Sequence, residues 1–443
     1  MFLQGKAFKR VQAQYKKKMA RKVFLTALGG AEEVGRSSFL LDAGEKILLD
    51  SGLKLAPNKI EHPLELTAHP DGIVISHAHL DHSGHLPHIF LESRPKVYMT
   101  PPTLDLSKIL WQDTLKIADS EGNDPPFTQE EIHSAEQFTF QIGYKRKIGI
   151  SNNVSLEFYD AGHICGSAMS KIFLPEKNIL YTGDYKVKET RLHQGADLNV
   201  GKVDTVILEG TYGDREQDDR EETEKYFIER VSEVLAEGGN VVVPAFSIGR
   251  TQEILVLLYE YKIGAQIFLD GMGQKAAAAM LRHPSYLKNP RHLKTVLDKV
   301  KWVQNSRKTR KTALTQSSII VSSAGMLQGG PAISYISKLH NDPKSAVFLT
   351  GYQAEQTPGK ILLETGKLKA DGRTLDVKMQ IERFDFSAHP SQSELFKSLK
   401  KWGPEKAVLV HGDKNTLPIF KKEIESQLGI EAIIPKLGKE TEI

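Results

Sequence analysis

Cysteine is almost absent from the sequence, since Cys165 is the only one among 443 residues. One cysteine excludes an intramolecular disulfide and any metal site built from several thiolates. Long apolar runs are also missing, so no stretch of about eighteen apolar residues is available to span a membrane, and the amino terminus lacks the apolar segment of a secretory signal. These absences predict a cytoplasmic protein in a reducing environment, with no membrane partner.

Positive charge is in only slight excess, with 59 Lys and Arg residues against 55 Asp and Glu residues. A net charge of +4 permits nucleic-acid binding without requiring it, because contacts with phosphate depend on local patches. Basic residues cluster in residues 1–21, from Lys145 to Lys147, and in SRKTRKT from Ser306. Each cluster can equally be a solvated surface.

Short apolar strands dominate the first part of the chain, and the pattern changes after Gly213. From there, strands such as NVVVPAFS alternate with helices such as GRTQEILVLLYEYK, which predicts a doubly wound α/β unit with parallel strands. The chain then returns to strand-like pieces that end near histidines. We therefore predict a basic extension over residues 1–21, one domain in two parts over residues 22–210 and 376–443, and an inserted α/β domain over residues 211–375.

The segment SHAHLDHSGHLPH, which begins at Ser76, holds five of the fifteen histidines. Four candidate metal ligands in it follow the apolar strand GIVIS: His77, His79, Asp81 and His82. Imidazole and carboxylate without thiolate suit zinc or a similar divalent ion. Four ligands in one turn cannot easily all reach one ion, so they can be divided between two ions. Further ligands are available at later strand ends: His163, Asp184 and His411.

HAHLDH resembles the H-x-H-x-D-H signature of the metallo-β-lactamase fold, and the other motifs of that fold are matched in order by Asp50, His163 and Asp184. The resemblance implies an αββα sandwich with two Zn²⁺ ions, whose separate ligand sets would be His77, His79 and His163, and Asp81, His82 and His411. Asp184 would bridge the ions, and Asp50 would orient ligand side chains. His85 and His88 fall outside the signature, and we expect them along the following helix as non-ligands.

The inserted domain resembles the β-CASP branch of this superfamily, whose members are nucleases. Three further motifs carry the resemblance: Glu209 in LEGTYG, His389 in FSAH and His411 in LVHG. The segments PAFSIGRTQE, SSAGMLQGG and GYQAEQTPGK are also typical of the branch. The resemblance implies that His389 protonates the leaving 3′-oxygen and that Glu209 keeps this imidazole charged. A packed structural histidine is the alternative for His389.

Two loops of the inserted domain have the form of anion sites, because each follows a strand, contains glycine and opens a helix. They are FSIGRT, in which Arg250 could contact a phosphate through two N–H groups, and SSAGMLQGGP. Simple turn chemistry is the alternative for either loop alone. The segment SAHPSQSEL resembles the RNase J branch, in which a serine helps to hold a 5′-phosphate. The predicted RNA-binding residues are Arg250, Ser247, Ser323, Gly325, Tyr212, Tyr352 and Ser391.

The motifs DAGHICGSA and LVHGD resemble those of cleavage-and-polyadenylation-factor nucleases, and we expect the archaeal type without KH domains. RNase J is the second relative, without its large C-terminal domain. The resemblance implies a zinc-dependent ribonuclease that leaves 5′-phosphate and 3′-hydroxyl ends by endonucleolytic cleavage, 5′–3′ exonucleolytic cleavage or both. Its substrate would be single-stranded RNA in 3′-end processing, transcription termination or decay.

Two other functions stay open, namely a DNA nuclease of the repair-type β-CASP branch and a non-catalytic RNA-binding scaffold. The first would usually carry a different residue in place of His411, and the second would have lost metal ligands. A small-molecule hydrolase of the glyoxalase type would lack the insertion. The strand-like C-terminal segment EAIIPKLGKETEI favours a homodimer through pairing with a second copy.

Overall fold

The computed structural model describes residues 22–56, 59–304, 306–370 and 372–443. The predicted basic extension, residues 1–21, lies outside the described residues. Within the described part, the strands form three large sheets and two hairpins, which pair Lys54–Ala56 with Lys59–Glu61 and Lys367–Ala370 with Arg373–Asp376. None of the helices in that part is long and apolar enough to cross a bilayer.

Two sheets of seven strands stack face to face. The spatial order of the first is Glu440–Glu442, Phe24–Gly29, Ser38–Asp42, Lys46–Leu49, Gly72–Val74, Lys96–Met99 and Thr139–Gln141. The order of the second is Glu431–Ile433, Lys406–Val410, Thr205–Glu209, Asn178–Tyr181, Ala168–Phe173, Ser155–Asp160 and Ile148–Gly149. Alternate residues of a strand point to opposite faces. Phe39 and Leu41 of the first sheet therefore share one buried layer with Phe158 and Ile172 of the second.

Helices cover the outer faces of both sheets. Leu40, which points away from the inner layer, belongs to a buried cluster with Trp111 of a long helix. On the other side, Leu208 belongs to a cluster with Leu399 of a C-terminal helix. The helices of this unit are Leu80–Ser83, Leu86–Ile89, Pro101–Glu121, Gln129–Gln137, Gln392–Trp402 and Thr416–Leu428. This arrangement confirms the predicted αββα sandwich.

The third sheet has six strands in the order Lys301–Trp302, Gln266–Asp270, Ser318–Ser322, Val241–Pro244, Ala346–Leu349 and Gln380–Arg383. All neighbouring strands are parallel. Val241 and Val243 belong to one buried cluster and Val242 to another, so both faces are covered, as parallel sheets require. The covering helices are Arg220–Ala236, Arg250–Glu260, Gly273–Leu281, Pro290–Lys299, Arg307–Thr315, Pro331–Leu339 and Pro358–Thr365, with a 3₁₀ turn at Pro284–Tyr286. The predicted doubly wound insertion is confirmed.

The chain leaves the third sheet later than the sequence suggests. The strand Gln380–Arg383 was expected in the returning part of the sandwich, but it pairs in parallel with Ala346–Leu349. The physical reason is the aromatic contact that follows it, since the ring of Phe384 lies 5.1 Å from that of Phe348. The division of the chain into domains stays a proposal, and this pairing favours a boundary after Arg383 over one at residue 375.

Candidate metal centre

The predicted metal ligands come together at one end of the sandwich, where strands of both sheets end. His77 follows a strand of the first sheet, whereas Asp184 and His411 follow strands of the second sheet. His163 lies in the turn that joins two antiparallel strands of the second sheet. Because each strand end is held in place by its sheet, side chains that are distant in sequence reach one place.

The first ligand cluster consists of His77, His79 and His163, whose nitrogens all lie within 4.8 Å of one another. The Nδ1 atom of His79 lies 3.2 Å from Nε2 of His77 and 3.2 Å from Nε2 of His163. In a tetrahedral site with Zn–N bonds of about 2.0–2.1 Å, two ligand nitrogens lie about 3.3 Å apart. The spacing of the three nitrogens therefore fits one ion.

The second ligand cluster consists of Asp81, His82, Asp184 and His411. His411 lies between two carboxylates, with Nε2 3.4 Å from Oδ2 of Asp81 and Nδ1 3.2 Å from Oδ1 of Asp184. The Oδ2 atom of Asp184 lies 3.3 Å from Nε2 of His82 and 3.7 Å from Nε2 of His77. Asp184 is thus placed between the two clusters.

The chemistry of these groups fits a bound cation. Burial lowers the pKa of His77 and of His163 well below the usual value, so both imidazoles are neutral and keep a lone pair. Burial opposes ionisation of Asp184, but the nearby His411 and His82 outweigh it and hold the pKa of Asp184 well below its usual range. Nε2 of His82 and Oδ1 of Asp184 are buried without a hydrogen bond. Such unpaired buried atoms are costly, and metal coordination would satisfy them.

Asp50, whose backbone φ is 59°, forms hydrogen bonds that support the candidate ligands. Its carboxylate accepts hydrogen bonds from the backbone N–H of Ser76 at 2.7 Å, from Tyr181 Oη at 2.6 Å and from His82 Nδ1 at 2.7 Å. The hydroxyl of Ser76 also donates to Asp50, so it accepts from Nδ1 of His77 at 3.0 Å. Ser76 and Tyr181 were missed by the sequence reasoning, because no local pattern places them beside Asp50.

His389 and Glu209 form a pair beside the two clusters. Nδ1 of His389 lies 3.0 Å from Oε2 of Glu209, and the His389 ring centre is 5.0 Å from that of His163. Burial disfavours the charged imidazole, but Glu209 and then Asp184 outweigh burial and raise the pKa of His389 to about 9. Cations at the ligand clusters would act in the opposite direction on that pKa. Because Nδ1 is held by Glu209, Nε2 is the atom available to a substrate.

The backbone around His389 is held by side chains that sequence reasoning missed. Lys186 Nζ donates to the carbonyl oxygen of His389 at 2.7 Å, and Gln217 Nε2 donates to the same oxygen at 3.0 Å. The carbonyl of the preceding residue, Ala388, accepts from Nδ1 of His163 at 2.8 Å. The FSAH segment is therefore tied both to the sandwich and to one of the candidate ligands.

Loops of the inserted domain lie against this centre. The strands before Phe246, Gly325 and Gly351 are neighbours in a parallel sheet, so their following loops share one edge. A Cβ atom on Gly325 would lie 3.0 Å from the backbone nitrogen of Phe246, and one on Gly351 would lie 3.3 Å from its ring. A Cβ atom on Gly249 would lie 2.9 Å from Ile164, the residue after His163. The edge of the insertion therefore faces the metal centre.

The predicted RNA-binding residues differ in their exposure and in their contacts. Arg250 is buried and donates to Glu253 at 2.5 Å, although its Nε atom has no hydrogen-bond partner. Tyr212 is buried with its ring centre 6.2 Å from that of His389, and Tyr352 is exposed. Ser323 is buried and accepts from the N–H of Met272 at 3.2 Å. Ser247 lies half-buried in the loop before Arg250.

Ser391 lies at the start of the helix Gln392–Trp402, among acidic side chains. Its backbone N–H donates to Glu394 at 3.1 Å, and its hydroxyl lies 3.2 Å from that of Ser393. Ser393 in turn donates through its hydroxyl to Glu216 at 2.8 Å. A contact between Ser391 and a phosphate stays a prediction.

Three family models match the chain in succession. The Metallo-beta-lactamase superfamily domain matches residues 39–211, the Beta-Casp domain matches residues 251–362, and the Zn-dependent metallo-hydrolase RNA specificity domain matches residues 374–435. In the described structure, these segments carry the candidate ligands from His77 to Asp184, the loops that contain Gly325 and Gly351, and His389 with His411, respectively.

Several proteins of archaea are similar over nearly the whole chain. A probable RNase MJ4 of Methanocaldococcus jannaschii is 37% identical, with 94% of this chain and 99% of the relative covered. RNase aCSPSF2 of Saccharolobus solfataricus is 36% identical, with 94% and 85% covered. The transcription termination factor FttA of Pyrococcus abyssi is 33% identical, with 95% and 71% covered. A crystal structure of an Enterococcus faecalis protein of unknown function shares the fold, with a TM-score of 0.61 at 15% identity, covering 95% of this chain and 100% of that one.

Proposed function

The chain belongs to the β-CASP family of metallo-β-lactamase-fold proteins, and we propose that it is a zinc-dependent ribonuclease that hydrolyses phosphodiester bonds of single-stranded RNA. The observation that carries this proposal is the joint placement of two ligand clusters and the His389–Glu209 pair. Relatives named as ribonucleases and as a transcription termination factor support a role in RNA 3′-end processing, termination or decay.

The candidate ligands form two sets with Asp184 close to both, and each set would hold one zinc ion. His77, His79 and His163 would hold one ion, and Asp81, His82 and His411 would hold the other. Bound zinc would supply Lewis-acid chemistry, which lowers the pKa of water to about 7 and neutralises charge on phosphoryl oxygens. Asp50 supports both sets, because it fixes the protonated Nδ1 of His82 directly and that of His77 through Ser76.

His389 would act as the general acid of the reaction. Glu209 accepts a hydrogen bond from Nδ1–H of the imidazole, so Nε2–H is free to protonate the 3′-oxygen as it leaves. Water would add to phosphorus as the P–O3′ bond breaks, which leaves a 5′-phosphate, and the proton from His389 would complete the 3′-hydroxyl. Thr211 donates to Glu209 at 2.6 Å and so restricts the carboxylate that orients His389.

RNA would lie between the sandwich and the facing edge of the insertion. Backbone N–H groups near Gly325 and the hydroxyls of Ser247 and Ser323 would contact phosphates, and exposed Tyr352 offers a ring for a base. Arg250 would have to exchange part of its contact with Glu253 for a phosphate. Such backbone contacts carry little sequence information.

The mode of cleavage and the assembly belong to the same proposal. Ser391 would take part in 5′-phosphate recognition if the enzyme degrades RNA from the 5′ end. The strand Glu431–Ile433 pairs in parallel with Lys406–Val410 of its own chain and forms an edge of the second sheet. Homodimer formation through that edge stays a prediction.

The decisive experiment is a time course on one RNA with either a 5′-monophosphate or a 5′-triphosphate, beside a circular form of the same RNA. Mononucleotides released only from the monophosphate form indicate 5′–3′ exonucleolytic cleavage, and internal cuts that persist on the circle indicate an endonuclease. The His77→Ala and Asp184→Ala variants should show no cleavage. His133→Ala is the control, because His133 is exposed and its ring contacts Gln137 and no candidate ligand.

Three results would contradict the proposal. Cleavage retained in the Asp184→Ala variant would exclude this residue as a required ligand. A preference for the DNA strand of the same sequence would favour the repair-type alternative, and tight RNA binding with no cleavage by the zinc-loaded wild type would favour the scaffold.

A further inference from the structure

Three imidazoles form a second histidine cluster outside the metal centre. His62 follows the hairpin strand Lys59–Glu61, and His85 and His88 follow the helix that carries Asp81 and His82. Nδ1 of His62 lies 3.2 Å from Nδ1 of His85. We propose that His62 and His85 form a separate site for a divalent transition-metal ion, such as Zn²⁺ or Ni²⁺, with water completing the coordination.

The candidate ligand pairs of the metal centre serve as a reference for the spacing of His62 and His85. This comparison rests on the proposed function, in which those pairs bind zinc. His77 and His79 have nitrogens 3.2 Å apart and ring centres 4.9 Å apart at 80°. His79 and His163 have nitrogens 3.2 Å apart and ring centres 5.1 Å apart at 89°. The pair of His62 and His85 has the same nitrogen distance, with ring centres 5.1 Å apart at 70°.

His88 has a different relation to the pair. Its ring is stacked on that of His85 at 4.5 Å and 25°, and its Nδ1 donates to the carbonyl oxygen of Pro126 at 2.6 Å. Stacked rings direct their nitrogens along parallel planes instead of toward a common ion. His88 therefore orients the ring of His85, in the way that residues behind a metal ligand usually do.

The chemistry of the pair selects the class of metal. Burial, His88 and His62 lower the pKa of His85 to about 3, and partial desolvation together with the nearby His88 lowers the pKa of His62. Both imidazoles are therefore neutral near pH 7 and offer lone pairs. Neutral imidazole suits zinc, nickel, cobalt and copper, whereas magnesium and calcium prefer oxygen ligands. His62 is exposed, which leaves room for water and a path for the ion.

The site would join two segments that the fold brings together behind the metal centre. The backbone N–H of His85 donates to the carbonyl oxygen of Ser51 at 2.8 Å, and Ser51 follows Asp50. A metal ion on His62 and His85 would thus connect the hairpin strand Lys59–Glu61 to the segment of the chain that carries Asp50 and His82.

The test is the amount of zinc bound per chain, measured by mass spectrometry after dialysis of the full protein against micromolar free Zn²⁺. The His62→Gln and His85→Gln variants should each bind about one zinc ion fewer than the wild type, as one shared site requires. The double variant should lose no more than either single variant. His133→Gln is the matched control, because this exposed imidazole contacts Gln137, and the variant should bind as much zinc as the wild type.

Equal zinc content in the wild type and the His62→Gln variant would overturn this proposal. The contact between the two imidazoles would then be a hydrogen bond only. The His77→Ala variant separates the two sites, because it should lose zinc from the metal centre and retain the zinc that depends on His62. A crystal of the wild type soaked in Zn²⁺ provides a test without substitution, since an anomalous peak must lie between the two Nδ1 atoms. Absence of that peak would also overturn the proposal.

Discussion

Individual histidines of the metal centre are defined by where each holds its proton. The Nδ1–H of His163 donates a hydrogen bond to the carbonyl oxygen of Ala388, that of His82 donates to Asp50, and that of His389 donates to Glu209. In each case the second nitrogen is left for chemistry at the centre. Two of these nitrogens are proposed to bind zinc, and the third is proposed to donate a proton.

Replacement of His389 by Gln tests this distinction at the level of one side chain. We expect kcat for RNA cleavage to fall roughly 100-fold to 10,000-fold, because general acid catalysis contributes that much. Zinc content should stay at the wild-type level, since His389 is outside the proposed ligand sets. Cleavage is measured on a uniform RNA and on one with a 3′-bridging sulfur at the cut position.

The sulfur-containing RNA makes the prediction specific, because a thiolate leaves without protonation. The His389→Gln variant should cleave this substrate at a rate close to that of the wild type. An equal loss on both substrates, or a loss of zinc, would show that His389 acts in another way.

At the scale of secondary-structure elements, the ligand helix Leu80–Ser83 depends on close backbone contact. A Cβ atom on Gly52 would lie 1.8 Å from the carbonyl oxygen of Asp81 and 2.7 Å from the backbone nitrogen of His82. Ser51 and Leu53 also bond to this helix through their backbone N–H groups, to His82 and Leu80 respectively. The segment after Asp50 is therefore packed against the candidate ligands, and at position 52 there is no room for a side chain.

Substitution of Gly52 by Ala should displace this helix and weaken metal binding by roughly 10-fold to 100-fold, the cost usually seen when ligand support is lost. The opposing atoms are backbone, so they cannot move aside as a flexible side chain would. Gly264→Ala is the matched control, because nothing lies within 4 Å of a Cβ atom there. Zinc affinity by competition with a chelating dye measures both variants. Unchanged affinity in Gly52→Ala would contradict the packing described.

At the scale of the whole molecule, the metal centre joins parts of the chain that belong to different layers. The ligands come from both sheets of the sandwich, and His163 and His389 are connected through Ala388, which follows the inserted domain in the chain. Asp81, Asp184 and Asp50 place three carboxylates in or against this buried region. A bound cation would neutralise charge that otherwise opposes folding.

Removal of zinc by a chelator should therefore lower the thermal midpoint of unfolding. A ligand present at 1,000 times its Kd stabilises the native state by about 4 kcal/mol, which for a large chain corresponds to a shift of roughly 5 °C. The midpoint is measured by calorimetry before and after chelation, and again after zinc is restored. The Asp184→Ala variant should respond much less. An equal response in wild type and variant would place the stabilising metal elsewhere.

Much of this protein could be predicted from local patterns in its sequence. HAHLDH places four candidate ligands close together in the chain, so the expected kind of site follows from local residue types and spacing. Short apolar runs predict the strands of the sandwich, and regular strand–helix alternation predicts the parallel sheet of the insertion. The same motifs indicate the family, and the comparisons confirm it.

Tertiary structure decided the contacts that join distant parts of the chain. Only the fold shows that Lys186 donates to the backbone carbonyl of His389 and that His163 donates to the backbone carbonyl of Ala388. It also shows that the rings of His62 and His85 are in contact. The sequence determined which chemical groups are present and how each strand and helix forms, because those depend on near neighbours. Which groups meet depends on how sheets stack and where loops turn back, and that is settled only when the whole chain packs.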